Sequence, residues 1–165
     1  MQLNYNASHT DQNFMGRVFL FAKRNYWMFI LDVLIIIFAV IPPYTWEEAK
    51  ILLILIAILI LRDIFVLRIA YKHVGKFIAK GNEVTIGILK GSKFQKDITE
   101  WLPDVEIEIR YKLNTPVLTI LSSGELIFKQ YPMGIWTFEK MKEFMDSFYD
   151  YKKEQALWKI YKGQD

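Results

Sequence analysis

Two apolar runs lie close together near the start of the chain, and they limit what it can fold into more than any other feature. Residues 26–43 read YWMFILDVLIIIFAVIPP, broken only by Asp32, and residues 49–67 read AKILLILIAILILRDIFVL. About 20 residues at 1.5 Å each cross the ~30 Å hydrocarbon core of a bilayer, so both runs are expected to be transmembrane helices. A signal peptide is the rival reading of the first run. A second run follows at once, however, and no small-residue cleavage site closes the first. The link PPYTWEE is short and Pro42 and Pro43 end the first helix, which makes the pair a hairpin. Tyr26, Trp27, Tyr44, Trp46 and Tyr71 fall at the run ends, where amphipathic rings favour an interface.

Lysine and arginine set the expected orientation. Arg17, Lys23 and Arg24 precede the first run, and Arg68, Lys72, Lys76 and Lys80 follow the second, while the link holds Glu47, Glu48 and only Lys50. Positive flanks stay inside, so both termini are expected in the cytoplasm of a multi-pass bacterial inner-membrane protein. Counted outward from the link, Asp32 and Arg62 fall about level on the two helices. A lone intramembrane charge costs ~2.5–3.5 kcal/mol on insertion scales, and pairing Asp32 with Arg62 offsets much of that. The functional reading of such a pair is an ion or proton relay. The plainer one is an intramembrane ion pair that joins two helices, with Asp63 reaching for the headgroups.

Arg68, Lys72, Lys76 and Lys80 recur every four residues, which on a helix is one face. They are read as a basic juxtamembrane helix ended by Gly81 and touching the anionic lipids of the cytoplasmic leaflet, at ~1 kcal/mol per residue. Net charge is only +3. No aromatic platform is interleaved with these cations, so no nucleic acid is expected as a partner.

Beyond residue 81 the period changes. VEIEIRY (105–111) alternates, with Val105, Ile107, Ile109 and Tyr111 on one side and Glu106, Glu108 and Arg110 on the other. That is a half-buried strand. VTIGIL (84–89), Lys93–Ile98, VLTIL (117–121) and ELIFK (125–129) read as further strands, the last two joined by Ser122-Ser123-Gly124. Thr137 caps a helix over about 138–155 whose stripe is Phe138, Met141, Phe144, Met145 and Phe148. The order of elements gives a small antiparallel sheet closed by a C-terminal amphipathic helix. The expected organisation is then 1–25, an N-terminal strand (Gln2–Asn6 joining the sheet) with an interfacial segment; 26–80, the hairpin with its basic helix; and 81–165, the β domain. The fold class is an α+β membrane protein.

A membrane hairpin followed by curved sheet and a C-terminal helix resembles the bacterial pleckstrin-homology-like membrane proteins, in particular the YcxB-like group. QLNYNASHTDQNF is similar to that group's opening strand and the polar stretch with an aspartate, here Asp11. ITEWLPDVEIEI resembles its turn into the central strand, and GIWTFEKMKEF its approach to the closing helix. The resemblance covers most of the chain. It implies an inner-membrane scaffold whose β domain is a partial pleckstrin-homology-like barrel, with four to six strands recognisable here where the full barrel has seven, and it brings no catalytic residues with it.

Chemistry is sparse. The chain has no cysteine and two histidines, His9 in a polar stretch and His73 among lysines, neither at metal-ligand spacing. Gly87 and Gly91 lack the ending of a phosphate loop. Ser122-Ser123-Gly124 lacks the strand-to-helix setting of a nucleophile elbow. Glu106 and Glu108 share one strand face, as solvated glutamates commonly do. No enzyme, cofactor or metal is expected. The expected function is a non-enzymatic membrane protein presenting a β module to a protein partner, to lipid or to a second copy of itself. The alternative is a two-span effector whose β domain binds a small ligand such as a cyclic nucleotide and drives oligomerisation.

Overall fold

The computed structural model describes residues 2–7, 12–40 and 45–162, with main chain alone at 39–40, 47 and 158–162. Pro42, Pro43 and Tyr44 of the link, and also Ser8, His9 and Asp11, lie outside the described residues, as do the side chains of Trp158 and Ile160. Strand β1 (Gln2–Asn6) is followed by helices α1 (Phe14–Arg24), α2 (Tyr26–Val40) and α3 (Trp46–Tyr71). Six strands come next: β2 (Lys72–Lys80), β3 (Glu83–Lys90), β4 (Lys93–Trp101), β5 (Val105–Lys112), β6 (Thr115–Ser122) and β7 (Glu125–Gln130). Helix α4 (Phe138–Lys162) closes the order.

The strands form two antiparallel sheets, one in the order β1-β2-β3-β4 and one in the order β5-β6-β7. Chain order is preserved within each sheet because every link after β2 is a tight hairpin or a short 3-10 turn at Leu102–Asp104. The first strand is the exception. β1 reaches β2 across the whole helical segment, with Gln2 opposite Lys80 and Asn6 opposite Lys76. The inner faces of both sheets meet α4. Phe77, Ile86, Ile107, Leu118 and Ile120 pack against Trp136, Met141, Phe144 and Phe148 in one core. The Phe77 ring meets Phe144 edge-on at 4.9 Å and Phe148 at 5.8 Å, a geometry that suits the quadrupoles of aromatic pairs. Thr137 holds α4's first turn, its Oγ1 accepting from the Lys140 N–H at 3.2 Å. Phe138, expected in the buried stripe, is 40% exposed.

No helix among the described residues is long and apolar enough to cross a membrane. The expected transmembrane hairpin is thus overturned, and with it the assignment of the fold as a membrane-spanning one. The reason lies in length and charge. The described part of α2 has 15 residues, about 22 Å at 1.5 Å per residue against the ~30 Å required. α3 has 26 residues, but its uncharged stretch runs only from Ile51 to Leu61. Lys50 bounds that stretch on one side, and Arg62, Asp63 and Arg68 charge the rest. What the structure shows is an α+β fold carrying two adjacent helices with exposed apolar flanks.

The basic juxtamembrane helix is a second correction. α3 ends at Tyr71, and residues 72–80 are a central strand paired on both edges, with β1 and with β3. Val74, Phe77 and Ala79 are buried; their inward alternation slips once, at a bulge between Val74 and Lys76. Gly75 sits in that bulge because nothing larger fits. A Cβ there would stand 2.6 Å from two Leu89 carbons and 3.0 Å from the Phe94 ring.

Candidate functional site at the base of the helical hairpin

α2 and α3 are joined by charge, at Asp32 near the middle of α2 and Arg62 in the second half of α3. The Arg62 guanidinium contacts the Asp32 carboxylate of α2 and the Asp63 carboxylate beside it on α3. The side chains of Arg62 and Asp32 are 20% and 15% exposed. The Arg62 guanidinium also lies 5.9 Å from the centre of the Phe29 ring, a cation–π distance. The arrangement is one cation between two anions. Chemically it clamps two helices.

The lysines read as a helical stripe are dispersed by the strand. Lys72 and Lys80 are the two ends of β2, roughly 26 Å apart at ~3.3 Å per residue. Lys76 is engaged by Asp97 across Gly87, Nζ to Oδ2 3.2 Å. Lys80 is opposite Gln2 on one side and Glu83 on the other, at the end of the sheet away from α3. Only Lys72 stays with the exposed Arg68, at the hairpin's base. There it acquires partners that spacing along the chain does not reveal. Lys72 is opposite Lys90, and Lys90 is opposite Lys93, so three exposed lysines form one row across three strands. Opposed residues share a face with Cβ atoms ~4.5–5.5 Å apart, and like charges so placed destabilise a sheet. Among the described residues no carboxylate stands within ion-pair distance of any of the three; Lys90 instead lies 5.9 Å from the Tyr71 ring centre.

Beneath the row lies a buried polar cluster. Arg17 of α1 is fully buried. Its Nε donates to the Ala70 carbonyl at the end of α3 at 2.9 Å, Nη2 to the Gly91 carbonyl in the β3–β4 turn at 2.6 Å, and Nη1 to the Gln12 carbonyl at 3.2 Å. The Phe14 N–H adds a bond to the Ser92 Oγ at 3.0 Å. One fork thus ties the first helix, the hairpin's end and the turn carrying Lys90 and Lys93. The flat guanidinium is suited to this, since it presents five donors in fixed directions.

His73 is buried as well, and not among lysines as its sequence neighbours suggest. Gln130 fixes its protonation: the Gln130 Oε1 accepts from the Val74 N–H at 2.9 Å, so its Nε2 donates to the Tyr131 carbonyl at 2.7 Å and faces the His73 Nδ1 at 3.2 Å. Nδ1 is therefore the acceptor and Nε2 bears the proton, without a partner among the described residues. Burial, with the positive charge of Arg17 nearby, pushes the imidazole down to about 3. Sequence reasoning missed Arg17, Gln130, Lys90 and Lys93. Arg17 had been counted only as a positive flank, and the lysine row exists only once strand register is known.

Of the outward strand residues, Glu108 is paired with Arg110 two places along the same face, and Glu106 is exposed. Family models, curated proteins and solved structures were all compared with this chain, and none matches it.

Proposed function

We propose that the chain is a non-enzymatic interaction module docked on lipid, which it meets through the apolar flanks of α2 and α3 and the cationic row at their base. The observation that carries this reading is one of adjacency. Residues such as Leu31, Val33, Ile36, Phe38, Leu53, Ile58 and Leu61 are each more than half exposed, and the row Lys72–Lys90–Lys93 stands where these flanks end. Exposed apolar surface on this scale marks an interaction site, and cations beside it suit an anionic leaflet, such as that of a bacterial inner membrane. The apolar flanks would lie in the acyl region and the lysines against the headgroups, leaving the two sheets and α4 displayed to a protein partner. Seven strands in sheets of four and three, followed by a helix, agree in number with a pleckstrin-homology-like module, and this supports the scaffold role.

Flotation of the full chain with vesicles tests the reading. Binding is expected to be stronger on anionic than on neutral phospholipid. At ~1 kcal/mol per lysine, changing Lys72, Lys90 and Lys93 together to Gln should weaken it by about two orders of magnitude. Lys80→Gln, beyond a Debye length of ~8–10 Å from that surface, should change nothing. A chain that never floats, or that instead forms a closed oligomer burying its own helices, sinks the proposal.

A further inference from the structure

The β5–β6 turn is made by Leu113 and Asn114, with φ of 47° and 60°. A two-residue turn of that hand favours Asn-Gly, and the left-handed region costs a residue with a Cβ about 1–2 kcal/mol. Leu113 recovers nothing from the fold, because it is 95% exposed, beside Tyr111 at 65% and the exposed Lys112. The turn stands beside α3. A cavity of about 240 Å³ lies between it, α1, α3 and the loop after β7, lined by Phe21, Phe65, Val66, Ile69, Leu113 and Met133 among others. Arg62 also borders it but is already engaged by two carboxylates. Lys112, a further lining residue, has no ion-pair partner among the described residues.

We infer that this cleft seats one acyl chain of an anionic bilayer phospholipid, with Leu113 covering the chain and Lys112 serving the headgroup. The inference rests on the lipid-docked reading above and gives it a specific contact. Three features favour a lipid chain. The cavity is smaller than the ~300–1,000 Å³ of sites for whole drug-sized ligands, so it suits a chain segment and not a nucleotide. Its lining is almost wholly apolar. It also continues the exposed flank of α3, where Phe65 belongs both to the cleft and to the 54% exposed surface.

The chain has no cysteine, so Leu113→Cys, Ile37→Cys and Ser123→Cys each accept a single bimane label. In vesicles of anionic phospholipid with brominated acyl chains, the label at 113 is expected to lose at least half its emission. The label at 37, on an exposed part of α2, should do the same, and the label at 123, at the opposite end of β6, should not. Quenching at 37 without quenching at 113 overturns the cleft and leaves lipid docking standing; no quenching at either overturns both. A second variant separates binding from folding. Leu113→Asn suits the turn better, so it should raise the urea midpoint while weakening vesicle affinity several-fold. An Asn variant that binds as tightly as the parent overturns the inference.

Discussion

Acid should act on this fold through His73. Its folded value of about 3 lies below the ordinary 6.5, so the neutral imidazole is the folded form. The resulting stability is complete above pH ~6.5, where the unfolded chain is neutral too, and is lost as pH falls from there toward 3. Each pH unit inside that window costs about 1.4 kcal/mol, hence about 2 kcal/mol at pH 5. Proton uptake at Nδ1 would also set a donor against the Gln130 amide N–H and place a cation beside Arg17, and both oppose it in the same direction. Urea unfolding of the purified chain, followed by tryptophan fluorescence at pH 7.5 and 5.0, measures the loss. Carboxylates titrate in this range as well, so the comparison is with His73→Gln, whose amide oxygen can accept the Gln130 N–H without titrating. The parent should lose about 2 kcal/mol more than the variant between the two pH values. Equal losses would refute the reasoning, as would a buried imidazole resonance that titrates near pH 6.

Arg17→Met removes three hydrogen bonds from a charged donor to main-chain carbonyls. At ~1.5–3 kcal/mol each, a loss of about 4 kcal/mol or more is expected, with Arg17→Lys intermediate because an ammonium cannot serve three separated acceptors. A methionine variant that melts within a degree or two of the parent would dismiss the fork as a tie. At the helix clamp, Arg62→Leu should cost more than Asp32→Leu, since the first leaves Asp32 alone at 15% exposure while the second leaves Arg62 with Asp63. Breaking a buried pair from one side costs ~3–5 kcal/mol, and removing both partners costs less. Strictly additive losses in the double variant would mean that the two residues do not act together.

What was readable in the sequence was local. The alternation at 105–111, the Ser123-Gly124 turn (φ of 49° and 79°) and the Thr137 cap each depend on neighbours a few residues away. The segment 72–80 misled because its cue was ambiguous: four residues are close to one helical turn, but four is also an even number, so i, i+4 lysines share a face in a regular strand as well as in a helix. Only the buried Val74, Phe77 and Ala79 decide between them, and a bulge at Gly75 breaks their alternation. The two apolar runs misled for another reason. Charged residues within the window were read as tolerated interruptions, whereas Lys50, Arg62, Asp63 and Arg68 leave α3 only Ile51–Leu61 free of charge. The lysine row and the Arg17 fork were not readable locally, since Lys72 meets Lys90 18 positions away and Arg17 reaches Ala70 and Gly91 53 and 74 positions away.

Those two features explain one another. Like charges directly opposed across a sheet repel, and a loose β3–β4 turn would relieve this by swinging Lys90 and Lys93 away from Lys72. Arg17 prevents it by holding the Gly91 carbonyl between those lysines to the same guanidinium that holds Ala70, two residues before Lys72. The fork therefore does more than anchor α1. It holds the cationic row against the last turn of α3, beside the apolar flanks of the hairpin. The Gly91 N–H, which donates to the Tyr71 carbonyl at 2.8 Å, ties the same turn to the same helix end from the other side.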